Sequence, residues 1–192
     1  MEAVCVYCGS SDKVDRVYIE AARRMGVIMA KRGMRLVYGA GSTGLMGAVA
    51  DGALEAGGEV IGLIPEIFNT PQLAHQGISH LEVVKDLPAR KARLTEISDG
   101  FIALPGGFGT LEELFEILTW AQIGLHSKPI GLLNTNGYYD ALLVLFNQIE
   151  REGFIYAEHQ SLYLCASDPE ELLDKMEEYQ PPAGLESWVE RG

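Results

Sequence analysis

Short apolar runs alternate along the chain with longer segments in which apolar residues recur every three or four positions. The runs have strand length and fall at Ala3–Tyr7, Arg35–Tyr38, Glu59–Ile64, Leu81–Val84, Gly100–Leu104, Pro129–Leu133 and Leu162–Ala166. The longer segments predict helices over Val14–Lys31, Gly44–Ala56, Pro88–Ile97, Thr110–Ile123, Tyr138–Glu152 and Pro169–Tyr179. Strands such as Val60-Ile61-Gly62-Leu63-Ile64 and Phe101-Ile102-Ala103-Leu104 are apolar at nearly every position. A strand has that composition when helices cover both faces of its sheet, so the pattern predicts an α/β fold: a doubly wound parallel sheet of about seven strands flanked by helices. Two segments lack a clear period. Pro65–His80 is read either as a flap over a site or as an irregular loop, and the tail Gln180–Gly192, opening on Pro181-Pro182, is expected to pack on the surface or on a partner.

Length and charge narrow the picture. At 192 residues the chain is expected to form a single domain. A net charge of −12 argues against general binding to nucleic acid or to an anionic membrane, both of which need clustered cations. No apolar run approaches the length of a membrane span and Met1-Glu2-Ala3 has no basic leader character, so a cytoplasmic protein is expected. Cys5, Cys8 and Cys165 are an odd set with no disulfide framework, and the Cys5-x-x-Cys8 pair lies in a strand pattern, where buried thiols are the simpler reading.

In an open parallel sheet, ligands bind beyond the C-terminal strand ends, which directs attention to the turns Cys8–Asp12 (with Ser10), Gly39–Gly44, Pro65–Asn69, Lys85–Lys91 and Pro105–Glu113. The last is the sharpest. Three glycines, Gly106, Gly107 and Gly109, lie between a strand and a helix expected to begin at Thr110, so main-chain N–H groups can converge on an anion at a helix N-terminus. A phosphate suits that description. A Thr110/Glu113 capping box is the structural alternative, and Asp168-Pro169-Glu170-Glu171 shows that an acid at such a position can serve a helix start alone.

Two further features bear on the site. Gly39-Ala40-Gly41-Ser42-Thr43-Gly44 satisfies a dinucleotide fingerprint, with Glu66 at roughly the twenty-residue distance of a ribose-binding acid, but it follows the second strand instead of the first. Contacts to ribose, phosphate or base from Gly39, Gly41 and Gly44 are favoured over a full dinucleotide site. Arg90-Lys91-Ala92-Arg93 puts cations in the first turns of a helix, against the macrodipole, and so asks for an anion; either a ligand or a surface pairing such as Arg93 with Glu96 supplies it. The four histidines show no metal-ligand spacing and no serine stands in a nucleophile elbow, so neither a metal nor a serine nucleophile is expected. The helix after Leu111 is apolar over more of its circumference than one sheet contact covers, which suggests a dimer interface or cover from the tail.

The turn Pro105-Gly106-Gly107-Phe108-Gly109-Thr110-Leu111-Glu112-Glu113 resembles the PGGxGTxxE signature of the LOG ("Lonely Guy") family of cytokinin riboside 5′-monophosphate phosphoribohydrolases, often labelled lysine decarboxylases. Tyr38-Gly39-Ala40-Gly41, Gly44-Leu45-Met46-Gly47, Arg90-Lys91 and Thr119-Trp120-Ala121-Gln122 extend the likeness over nearly the whole chain. The resemblance implies a Rossmann-like homodimer that hydrolyses the N-glycosidic bond of an adenine-type nucleoside 5′-monophosphate without a cofactor. It also implies Arg90 and Glu113 as the catalytic pair, with substrate contacts at Lys91, Gly107, Phe108, Gly109, Thr110, Leu111, Glu112 and Thr119. The chain departs from the family pattern at Ala40, where a third glycine is common, and at Leu87-Pro88, where Met-His is frequent. The flap acid has no evident counterpart, Pro71–Gly77 offering Gln72 and Gln76.

By analogy with glycosidases, a carboxylate at Glu113 would stabilise an oxocarbenium-like state and orient or deprotonate water, and Arg90 would neutralise the phosphate or polarise a ribose hydroxyl. A dinucleotide-dependent oxidoreductase and a non-catalytic nucleotide sensor remain as alternatives. A pyridoxal-dependent decarboxylase would need a Schiff-base lysine, and the one near the glycine turns, Lys91, sits in a paired cationic motif.

Overall fold

The computed structural model describes residues 1–183 and Leu185. Seven parallel strands form one sheet in the order β4-β3-β2-β1-β5-β6-β7. They are β1 (Ala3–Tyr7), β2 (Arg35–Tyr38), β3 (Val60–Pro65), β4 (His80–Val84), β5 (Gly100–Ala103), β6 (Ile130–Leu133) and β7 (Leu164–Ala166). Six helices connect or follow them: α1 (Arg16–Lys31), α2 (Gly44–Glu55), α3 (Leu87–Ile97), α4 (Phe108–Gln122), α5 (Asp140–Arg151) and α6 (Pro169–Glu177). The α/β sheet with helices on both faces is the one the apolar pattern predicts. Val4, Val6, Leu36 and Ile102 face α1, α2 and α6, whereas Cys5, Val37, Phe101 and Leu132 face α3, α4 and α5. Successive residues of a strand thus enter opposite cores, which is why these strands carry no polar face.

Several ends differ from the sequence expectation for local reasons. Asp15 caps α1 by accepting the Val17 N–H at 3.1 Å, so the helix starts at Arg16 and not at Val14. Helix α4 starts at Phe108 with Gly107 as its N-cap, two residues before Thr110. Thr110 is consequently a buried helical residue, and the Thr110/Glu113 capping box does not form. The start of α3 is built by Asp86, whose side chain accepts the Ala89 N–H at 2.9 Å, with Pro88 in the first turn. Leu87-Pro88 therefore sets the phase of the helix that carries Arg90.

The order of the strands matters for the site. Strands β4 and β5 are consecutive in sequence but not adjacent, because β3, β2 and β1 lie between them. Helix α3 crosses back over that span, packing on β3, β2 and β1, and this crossover brings Arg90 to the sheet's centre. The strand order reverses at β1, with β2 to β4 on one side and β5 to β7 on the other, so the turns following β1 and β5 open side by side at the switch point.

The segment after β3 forms a short 3-10 turn at Glu66–Phe68 and is then pinned to the second glycine turn. An isolated bridge joins Gly41 to Ala74, the Ser42 N–H donates to the Leu73 carbonyl and the His75 N–H to the Ala40 carbonyl. His75 also reaches Asp51 on α2 at 3.0 Å. Of the tail, Leu185 is buried in the core under α4 and α5, and the rest beyond Ala183 lies outside the described residues.

Candidate active site

At the switch point a cleft of about 280 Å³ is lined by Val6, Tyr7, Cys8, Gly9 and Ser10 from β1 and its turn, Gly39 and Met46 from the second glycine turn, Arg90 from α3, and Gly107, Gly109, Thr110 and Glu113 from α4. Four separate parts of the chain converge there.

The floor of the cleft is the N-terminus of α4. No side chain caps it, and among the described residues the N–H groups of Phe108, Gly109 and Thr110 have no protein acceptor; Leu111 is the first to bond, to the Gly107 carbonyl at 3.1 Å. A Cβ built on Gly107 or on Gly109 would meet nothing within 4 Å. The protein's own packing does not require glycine at either position, so what their missing side chains keep open is the space above the helix end. Gly106 is different, since a Cβ there would lie 2.1 Å from Thr110 Oγ1. Free N–H groups, positive helix potential and an unobstructed approach are the features that suit a helix N-terminus to an anion.

The wall of the cleft carries the pair anticipated from the motif. Arg90 Nη2 donates to Glu113 Oε1 at 3.0 Å, with side-chain exposures of only 17% and 13%. Arg90 Nε is buried without a partner, and its guanidinium lies over Gly39, where a Cβ would come within 3.1 Å of Nη1. Burial pushes the Glu113 carboxyl up to about 7, with Arg90 opposing the shift and the neighbouring Glu112 charge adding to it. A carboxyl that is part ionised near neutrality is suited to proton transfer or charge stabilisation. Burial also pushes the Cys8 thiol up, helped by Glu113, so this cleft residue stays a protonated thiol and not a nucleophile.

Other expected residues lie outside the cleft. Lys91 is held by Glu112 and, at 3.0 Å, by Glu116, and hydrogen bonding to Glu112 is the main cause raising its pKa. Arg93 pairs with Glu82 at 3.2 Å and with Glu96 at 2.8 Å. The anions that the cationic start of α3 asks for are thus protein carboxylates. Phe108 is 93% exposed, and neither Leu111 nor Glu112 is among the residues that line the cleft. Thr119 sits three turns along α4, its hydroxyl donating to the Phe115 carbonyl at 2.7 Å, beside an apolar groove lined by Phe115, Leu118, Phe146 and Ile149.

In the second glycine turn, Gly39 reaches the cleft, Gly41 packs on Met46, and Gly44 adopts φ +60° with Ser10 and Ser11 backbone against it. Glu66 is exposed and does not line the cleft. Sequence reasoning flagged the turn Cys8–Asp12, which holds Cys8 and Gly9, but gave no site role to Val6, Tyr7 or Met46. Apolar strand-end residues look like core from sequence, and only the β1–β5 adjacency reveals their role.

The sheet order and the switch-point cleft define an α/β protein of the Rossmann-like class. Residues 46–176 match the family profile described as "Possible lysine decarboxylase". The "Probable cytokinin riboside 5′-monophosphate phosphoribohydrolase LOGL3" of Oryza sativa subsp. japonica is 46% identical over 177 residues, 92% of this chain and 84% of that one. "Cytokinin riboside 5′-monophosphate phosphoribohydrolase LOG3" of Arabidopsis thaliana is 44% identical over 178 residues, 93% of this chain and 83% of its own. The chain belongs to the LOG family of cytokinin riboside 5′-monophosphate phosphoribohydrolases. Among solved structures, the molybdenum cofactor binding protein from Rippkaea orientalis superposes with a TM-score of 0.71 at 22% identity, over 92% of this chain and 96% of that one, a likeness of fold alone.

Proposed function

We propose that the whole chain acts as a single nucleotide-binding domain that hydrolyses the N-glycosidic bond of an adenine-type nucleoside 5′-monophosphate, N6-modified cytokinin nucleotides included. Water adds at C1′ as the bond to the base breaks, giving free base and ribose 5-phosphate, with no cofactor. The observation that carries this is the buried Arg90–Glu113 pair set beside an uncapped helix N-terminus in one cleft.

The phosphate would take the free N–H groups of Phe108, Gly109 and Thr110, with Ser10, Gly39 and Gly107 around it. Glu113 lies five residues beyond Phe108 on the same helix, about 7–8 Å by helix rise, a distance suited to a sugar anchored by its 5′-phosphate. There the ionised carboxylate stabilises developing positive charge at C1′ and orients or deprotonates the water. Arg90, paired with Glu113 and carrying a free Nε, would hold a ribose hydroxyl and keep the carboxylate in place. Lys91, paired with Glu112 and Glu116, acts on the position of α3 against α4. The names of the curated relatives support the substrate class.

The apolar groove on α4 and α5 that holds Thr119, with Phe115 39% exposed in it, and the exposed Val144 and Leu145 elsewhere on α5 support a homodimer in which Thr119 belongs to the interface. Three free thiols fit a cytoplasmic protein. The test of the activity is incubation of the pure protein with AMP and with an N6-prenylated AMP, followed by chromatography. Free base and ribose 5-phosphate in equal amounts are expected; saturable binding without products would leave a nucleotide sensor.

A further inference from the structure

Three carbonyls lead into α4, those of Leu104, Pro105 and Gly106, and each is held by a donor. Tyr139 donates its hydroxyl to Leu104 O at 2.7 Å, the Gly9 N–H donates to Pro105 O at 3.1 Å, and Tyr138 donates its hydroxyl to Gly106 O. A trans peptide is planar, with its C=O and N–H pointing in opposite directions. Tyr138 lines the compartment next to the cleft, with Val14, Tyr18 and Leu45, and not the cleft itself. The Gly106 carbonyl is therefore drawn toward that compartment, and the Gly107 N–H of the same peptide is turned the other way.

The Gly106–Gly107 peptide needs holding. It joins two residues without a Cβ, so little in its own chain resists a flip, and a flipped peptide would set a carbonyl dipole against an anion. The tyrosines themselves are fixed. They follow β6, which pairs with β5, so their turn lies beside the glycine turn. Asn134 Oδ1 accepts the Tyr139 N–H at 2.7 Å and Asn134 Nδ2 donates to Asp140 Oδ1 at 2.7 Å. Asn136 and Gly137 both take left-handed backbone, φ 54° and 70°. The Tyr138 ring packs edge-on against Tyr139 at 5.0 Å and Tyr18 at 5.9 Å.

We propose that Tyr138 is a positioning residue, whose hydroxyl draws the Gly106 carbonyl out of the cleft and so aims the Gly107 amide at the substrate's phosphate, while Tyr139, bonded to the Leu104 carbonyl of a peptide that has no N–H because it ends in Pro105, anchors the strand end from which that turn departs. This rests on the phosphate site proposed above. The test titrates inorganic phosphate into the wild type, Tyr138→Phe and Tyr139→Phe, reading the Gly107, Gly109 and Thr110 amides by 15N–1H NMR, and measures AMP turnover in parallel. Tyr138→Phe is expected to weaken phosphate about tenfold and to raise KM for AMP by a similar factor, with a small change in kcat. Binding of adenosine, which lacks the phosphate, and the melting temperature should stay near wild type. Tyr139→Phe leaves a buried carbonyl without its donor and should lower both phosphate affinity and melting temperature. Wild-type phosphate affinity and KM in both folded variants would overturn the tyrosine role alone. Wild-type amides that ignore phosphate would overturn the phosphate site, and this role with it.

Discussion

The two glycine-rich turns of this protein, Gly39–Gly44 and Pro105–Gly109, look alike in sequence and end differently in structure. At the start of α2 the Gly9 carbonyl accepts the Leu45 and Met46 N–H groups at 2.9 and 3.3 Å, and the Thr43 hydroxyl donates to the Ser10 carbonyl. The anion site that a dinucleotide fingerprint would offer is filled by the protein's own backbone. A Cβ on Gly44 would lie 2.6 Å from both Ser10 C and Ser11 O, so this glycine serves packing. At α4 the corresponding N–H groups are free and the glycines at 107 and 109 face open space. A glycine motif is thus evidence for a ligand only where its amides lack internal acceptors and its missing side chains leave room that packing does not claim. On that criterion the Gly39–Gly44 turn buttresses the site and the Pro105–Gly109 turn is the one left open to a ligand. The same contrast speaks against a dinucleotide-dependent oxidoreductase.

The largest expected effect tests what the open turn is for. Glu113→Gln should lower kcat for base release by roughly 10³-fold while AMP binding is kept, since removal of a group acting in proton transfer typically costs 10²–10⁴. Turnover near wild type would remove Glu113 from the chemistry. Of intermediate size is the contrast between the turns themselves. Gly44→Ala should destabilise the fold by about 1–3 kcal/mol, because φ +60° and backbone contacts under 3 Å both oppose a Cβ, with a lower melting temperature as the readout. Gly109→Ala, in a helix and unobstructed, should instead stabilise by about 0.5–1 kcal/mol yet raise KM for AMP about tenfold as the methyl crowds the anion. Equal behaviour of the two variants would erase the distinction.

The smallest effect concerns pH. With Glu113 near 7 in the fold against an ordinary value of 4.5, kcat/KM should fall as pH drops below about 7, because the ionised form is the active one. The stability effect has the opposite sign. Folding favours the protonated carboxyl, so this contribution is complete below about pH 4.5 and is lost as pH rises through about 7. Glu113→Gln should accordingly gain melting temperature relative to wild type between pH 5 and pH 8, and a constant difference would contradict it.

Much of this was legible in the sequence, and the reasons are physical. Period and caps locate all seven strands and six helices, because burial on both faces leaves a strong local imprint. Arg90 and Glu113 are visible as residues out of place, a cation against a macrodipole and an acid behind three glycines. The distant crossover of α3 was not legible: β4 and β5 are neighbours in sequence, and nothing local to either says that three strands intervene. Nor was the fate of Lys91, whose partners Glu112 and Glu116 come from another helix. Tyr7, Cys8 and Met46 face the cleft with side chains that carry no polar signal a sequence could single out from the core. Ala40 shows the reverse. It takes a left-handed φ of 59° while fully buried, at a position where a glycine pattern already suggested special backbone.

The most direct single measurement is a crystal structure of the Glu113→Gln protein with a nucleoside 5′-monophosphate bound. Phosphate oxygens within hydrogen-bonding distance of the Gly109 and Thr110 amides, with C1′ beside residue 113, are expected. A phosphate seated at Gly44–Met46, or a ribose turned away from Arg90, would contradict the proposed site.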